Sequence, residues 1–171
     1  MSGDESITFR GFLASLCFCV LMFLAGCGEK GVDKDMHGLF GWKLGEKVEG
    51  KKVGKDPRGT SGIWEIEARE RVPGLTKYTA YAREKDGRIY ALKGEGESAS
   101  FLEARRVTAE VKTRVEMAIG YELGHSGTPD TWAVKWLNER DLGQGVLILR
   151  TDASSGPART ILYVLDSSRT P

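Results

Sequence analysis

Three cysteines and two histidines are the side chains with the readiest chemistry in this chain of 171 residues, and their neighbours decide what each can do. Cys17 and Cys19 lie inside an apolar run, and Cys27 closes it. His37 stands beside Asp33 and Asp35, whereas His125 precedes Ser126-Gly127. A general base working near neutral pH is most readily a histidine, so a hydrolytic or metal-dependent activity would have to rest on His125 with nearby acids. A serine nucleophile needs a base and an acid converging on it. Neither Ser126 nor Ser154-Ser155 lies in the Gly-x-Ser-x-Gly turn that exposes a hydrolase serine. Asp33, Asp35 and His37 offer metal donors, but on a polar, glycine-flanked stretch with no packed neighbours to orient them. Gly94-Glu95-Gly96 lacks the third glycine and the strand-to-helix setting of a dinucleotide loop. These patterns lead us to expect no catalytic residue, no metal site and no cofactor.

Cys27 has a different setting. Phe12 to Leu24 is thirteen residues without a charge, and Leu24-Ala25-Gly26-Cys27 follows at its end. A membrane-spanning helix needs about 20 apolar residues, so the run is short for a stable span and suits the core of an export signal. The closing tetrad resembles the lipobox of bacterial lipoproteins, with Leu at the third position before the cysteine and small residues at the next two. That resemblance implies a signal peptide over 1–26, cleavage before Cys27, a diacylglyceryl thioether on its sulfur and a palmitate-type acyl chain on the new amino terminus. Gly28, where an Asp would mark retention at the inner membrane, resembles cargo sent to the periplasmic face of the outer membrane. Arg10 beside the core is opposed by Asp4 and Glu5, which departs from the usual net positive leader.

With 1–26 removed and Cys27 lipidated, no free thiol remains for a disulfide, a metal or a nucleophile. The domain then depends on its apolar core, and its length suffices for one. Residues are 40% hydrophobic and 29% charged, which places the chain among folded domains and away from disordered ones. Net charge is +1 and becomes +2 once residues 1–26 are gone, so no nucleic-acid partner is indicated.

Residues 27–37 read as a lipidated, flexible tether, and 38–171 as one α+β domain. Lys47, Lys51, Lys52, Lys55 and Arg58 make the most basic stretch, read either as a solvated loop or as a contact for anionic headgroups or wall polymers. Trp42, Trp64, Trp132 and Trp136 either fill the core or, where exposed, stack on a glycan or pack on an envelope protein.

The elements follow from periodicity. Leu39 to Gly45 is a short strand or a plug for one end of the core. Ile63 to Arg69 alternates apolar and charged residues, and Lys77 to Arg83 and Arg88 to Lys93 flank Asp86-Gly87, a hairpin signal. Between Ser98 and Leu123, Phe101, Ala104, Val107, Val111, Val115, Ala118 and Ile119 recur on one helical face. Ser100 and Glu103 form a capping box, and Gly124 is the expected stop. Thr131 to Leu137, Gly145 to Thr151 and Thr160 to Asp166 read as three more strands. The fold class is therefore α+β: an antiparallel sheet of about six or seven strands in two meanders, with one long amphipathic helix between them on one face.

Phe40-Gly41-Trp42-Lys43-Leu44-Gly45, followed by a hairpin, a helix and a Trp-bearing meander, is similar to small uncharacterised bacterial envelope proteins. The resemblance implies a fold and no activity. Together the residues lead us to expect a lipid-anchored envelope protein that binds or scaffolds another component, and the alternative is an envelope hydrolase or metal-dependent enzyme using His125.

Overall fold

In a computed structural model of the chain, the described residues are 38–56, 59–138, 143–154 and 156–171. Their strands are β1 (Gly38–Leu39), β2 (Trp42–Lys43), β3 (Lys51–Lys55), β4 (Ser61–Glu65), β5 (Lys77–Arg83), β6 (Ile89–Ser98), β7 (Gly124–His125), β8 (Thr131–Asn138), β9 (Gly143–Asp152) and β10 (Ala158–Asp166). The helix α1 (Phe101–Ile119) lies between β6 and β7. Eight strands form one antiparallel sheet in the order β3-β4-β5-β6-β10-β9-β8-β7. The protein is thus α+β, with two meanders joined where the last strand inserts between β6 and β9.

Two short additions raise the strand number above the expected six or seven. The lysine-rich stretch read as a loop is the edge strand β3, paired to β4 with a register shift between Lys52 and Gly54. Lysines and an irregular register are the usual guards of a sheet edge against further pairing. At the opposite edge, β7 pairs with β8 over two residues. The Leu39 to Gly45 run is the plug: Phe40 (φ 61°) and Gly41 (φ 76°) make a two-residue turn between β1 and β2.

One side of the sheet carries the core. Tyr78, Ala80, Leu92, Leu147, Leu149, Leu162 and Val164 are buried there, beneath α1 and the β1–β2 hairpin. Phe40 stands edge-on to Tyr78 with ring centroids 4.8 Å apart. Two glycines of β6 admit these neighbours: a Cβ on Gly94 would lie 2.6 Å from Phe40 Cζ, and one on Gly96 would overlap the Gly74 carbonyl.

The helix begins as expected. The Ser100 hydroxyl accepts from the Glu103 N–H (3.1 Å), and the Glu103 carboxylate accepts from the Ala99 N–H (3.1 Å). Its end and its buried stripe differ from expectation. Gly120 (φ 75°) stops it one turn before Gly124, donating to the Glu116 carbonyl at 2.8 Å. Glu116 then accepts from the Leu123 N–H (2.7 Å), which turns the chain back toward the sheet. The buried positions are Ala104, Thr108, Val111, Val115 and Ile119, whereas Phe101 is exposed. Thr108 belongs to this stripe because its hydroxyl meets two others: Thr151 donates to Thr108 and Thr108 is 2.9 Å from Thr160, which donates to the Ala104 carbonyl.

Candidate binding face

The residues singled out from sequence separate in space. Cys27 and Arg58 lie outside the described residues, as do Asp33, Asp35 and His37. Lys47 precedes β3, while Lys51, Lys52 and Lys55 project from it, all exposed. Lys52 is held 2.5 Å from Glu84 and over the Trp64 ring at 5.8 Å. That hydrogen bond from Lys52 keeps the Glu84 carboxyl below its ordinary range. Lys51, Lys52 and Lys55 therefore form one exposed edge of the sheet, whereas Lys47 stands apart from it, bridged to Arg88 between β5 and β6.

The tryptophans do not form a common surface. Trp42 is 4% exposed; its indole N–H donates to the Glu67 carbonyl (2.8 Å) and its ring is capped by Arg69 at 3.7 Å. This ring belongs to the core, which rules it out as an outward contact. Trp64 and Trp132 are half-buried against the same core. The side chain of Trp136 lies outside the described residues. His125 is exposed: its Nδ1 accepts from the Gly127 N–H (3.3 Å), and its ring stands edge-on to Trp132. Among the described residues, no group of three or more His, Cys, Asp or Glu side chains is placed to hold a metal ion.

A surface that sequence reasoning missed lies on the other side of the sheet. There the register aligns Thr79, Lys93, Tyr163, Ile148 and Ala133 in one row across β5, β6, β10, β9 and β8. Flanking rows carry Tyr81, Ala91, Leu165 and Val146 on one hand, and Glu95, Ile161 and Arg150 on the other. The helix packs on the opposite side, where Thr108 meets Thr151 and Thr160. On this side Tyr81, Val146, Ile148 and Tyr163 are half-buried, while Thr79, Ala91 and Ile161 are buried. A signal for it was present: the runs Val146-Leu147-Ile148-Leu149 and Ile161-Leu162-Tyr163-Val164-Leu165 are apolar at consecutive positions. A strand with one wet face alternates, whereas a continuous apolar run marks a strand with apolar contacts on both sides.

Three tyrosines gather here. Tyr81 lies 6.4 Å from Tyr90 and 6.1 Å from Tyr163 between ring centroids, and the Tyr90 hydroxyl donates to Ser61 Oγ (3.0 Å). Burial raises the Tyr163 phenol to about 12, with Tyr81 and Tyr90 adding to the effect. Burial also raises Tyr81, followed by the charge of Glu95 and by Tyr90. Both stay neutral hydroxyl donors across the physiological range. Tyr81, Lys93, Ile148, Arg150, Ile161 and Tyr163 line a cavity of about 350 Å³.

A wider depression of about 700 Å³ lies between the start of α1 and Trp132, lined in part by Leu102, Arg105 and Arg106. Its walls are exposed side chains at the start of the helix, with Leu102 77% exposed and Arg105 and Arg106 paired to Asp130 and Glu110. The tyrosine cavity stands on the central strands of the sheet, whose backbone is fixed on both sides, and is the better preformed of the two.

The comparisons with known proteins add no relative: no family model matches the chain, and neither does any curated protein or solved structure. The reading of this protein therefore rests on its own residues.

Proposed function

We propose that this chain is a lipid-anchored protein of the bacterial cell envelope that acts by binding and not by catalysis, with the tyrosine-bearing side of its sheet as the working surface. The observation that carries the anchor is Leu24-Ala25-Gly26-Cys27 at the end of an uncharged thirteen-residue run. A single acyl chain of myristoyl length holds a protein only marginally, at about 0.8 kcal/mol per buried CH₂, whereas two or more hold it durably. A cysteine with a diacylglyceryl thioether and an acylated amino terminus carries three.

The binding part rests on the half-buried apolar and tyrosine surface on the side of the sheet opposite the helix, and on the cavity at its centre. Contiguous apolar surface of this kind is the usual mark of an interaction site. The tether from Cys27 to His37 is eleven residues and spans at most about 36–40 Å when extended. The sheet would therefore work close above the membrane, within reach of a membrane-bound or wall-bound component.

The test is Cys27→Ala in cells, followed by fractionation. The wild-type protein should sediment with membranes and the variant should move to the soluble fraction or keep its leader. Equal membrane association of the two, with the leader cleaved from both, would overturn the anchor.

A further inference from the structure

We infer that the cavity on the open side of the sheet is a binding site for a small amphipathic anion, an apolar or aromatic body carrying one carboxylate or phosphate. This deepens the binding reading above and rests on that side of the sheet being the working surface. The floor is apolar: Ile161 and Tyr163 on β10, with Ile148 beside them on β9. Among the described residues of the lining the charged side chains are Lys93 and Arg150, and both are cations.

The register places these two at opposite corners of the floor. Lys93 faces Tyr163 from β6, and Arg150 faces Ile161 from β9. Two strand spacings and one side-chain repeat put their backbones about 12 Å apart. Long side chains rooted at that separation on opposite flanks can both turn to one anionic group held over the middle strand. Their present partners stand outside the lining: Lys93 is 2.8 Å from Glu95, and Arg150 is 3.2 Å from Asp152. Glu95 keeps a second cation in Arg159 at 4.0 Å, and Asp152 is satisfied by the Ser154 N–H and hydroxyl. Each acid therefore retains a partner when its cation swings inward. An incoming anion completes a lining whose own charges are all positive.

Size and shape agree. The cavity, about 350 Å³, is at the small end of the range of about 300–1,000 Å³ typical of ligand sites. It suits one ring or a short chain with its acid group, and the edge-on pair Tyr81–Tyr163 offers ring edges and phenol donors beside it.

The experiment is calorimetric titration of the full chain in zwitterionic-lipid nanodiscs, or in plain buffer if it purifies without detergent. The probes are 4-phenylbutyrate and its neutral analogue 4-phenylbutanol. The wild type should show one saturable site for the acid, about tenfold tighter than for the alcohol, the scale expected of one or two charge contacts. Lys93→Gln combined with Arg150→Gln should bring the acid down to the affinity of the alcohol. Tyr163→Ser should weaken both probes, and Leu102→Ser on the far helix should change neither. No saturable binding, equal affinities in the wild type, or a double variant that binds the acid as before would each overturn the assignment. Replacing the nanodisc lipid with phosphatidylglycerol separates two sources of the anion: a lipid headgroup competes with the probe, and a free acid from the surroundings leaves it unaffected. None of these readings depends on Cys27, so failure here is distinguishable from failure of the anchor.

Discussion

Tyr163 concentrates what single residues contribute to this surface. Its phenol is half-buried among Ile148, Ile161 and Tyr81, and ionising it there would put a charge where little water reaches. An unfolded tyrosine ionises near 10, while Tyr163 in the fold holds its proton to about 12. The folded state binds the extra proton between these values, so its contribution is complete below pH 10 and is lost as pH rises to about 12. Urea midpoints should therefore fall more steeply from pH 10 to pH 12 in the wild type than in Tyr163→Phe. The last phenolate step in the ultraviolet titration should also vanish in that variant. Thr108 is the matching residue inside. Replacing it with Val removes the hydroxyl between Thr151 and Thr160, both buried, and should cost about 1–3 kcal/mol in urea denaturation. A cost indistinguishable from zero would mean the two remaining hydroxyls find other partners. Sequence pattern did not reveal Thr108, because a periodicity count scores it as polar and its burial depends on threonines 43 and 52 residues further along.

At the scale of elements, the glycines separate two physical reasons for the same residue. Gly120 ends α1 at φ 75° with nothing within 4 Å of a Cβ, so Gly120→Ala should cost only the left-handed backbone penalty, about 1–2 kcal/mol. At Gly96 an added Cβ overlaps the Gly74 carbonyl, a clash of backbone on backbone. Gly96→Ala should therefore cost more than Gly120→Ala in the same denaturation series, and a smaller cost would show that the 66–76 segment moves away easily. The strand Lys77–Arg83 and the start of α1 at Ser100 were legible because an Asp-Gly turn between two strand-like runs and a capping box are local signals. The stop at Gly120 was not, since Gly120 and Gly124 are equally good caps and the choice falls to Glu116, whose carboxylate holds the Leu123 N–H. The strand β3 was hidden by its lysines, which read as loop although their register on β4 makes them an edge.

Across the whole molecule, one side of the sheet is closed by the helix and the β1–β2 plug, and the other keeps tyrosines, aliphatic side chains and two lining cations. Fold class and the side taken by the helix could be read from the chain, because one helix between two meanders covers one face only. The working surface could not be read in that way, since attention to tryptophan led to Trp42, which the core absorbs, whereas the open side is built by tyrosines from β5, β6 and β10. Within this account the tether and the open side act together: the lipid sets where the protein stands, and the tyrosine side sets what it meets there. The most direct measurement is the intact mass of the native protein together with the mass of its amino-terminal peptide. The account predicts a chain beginning at Cys27 and carrying diacylglyceryl and acyl additions. A leader still attached, or a bare thiol at position 27, would contradict it.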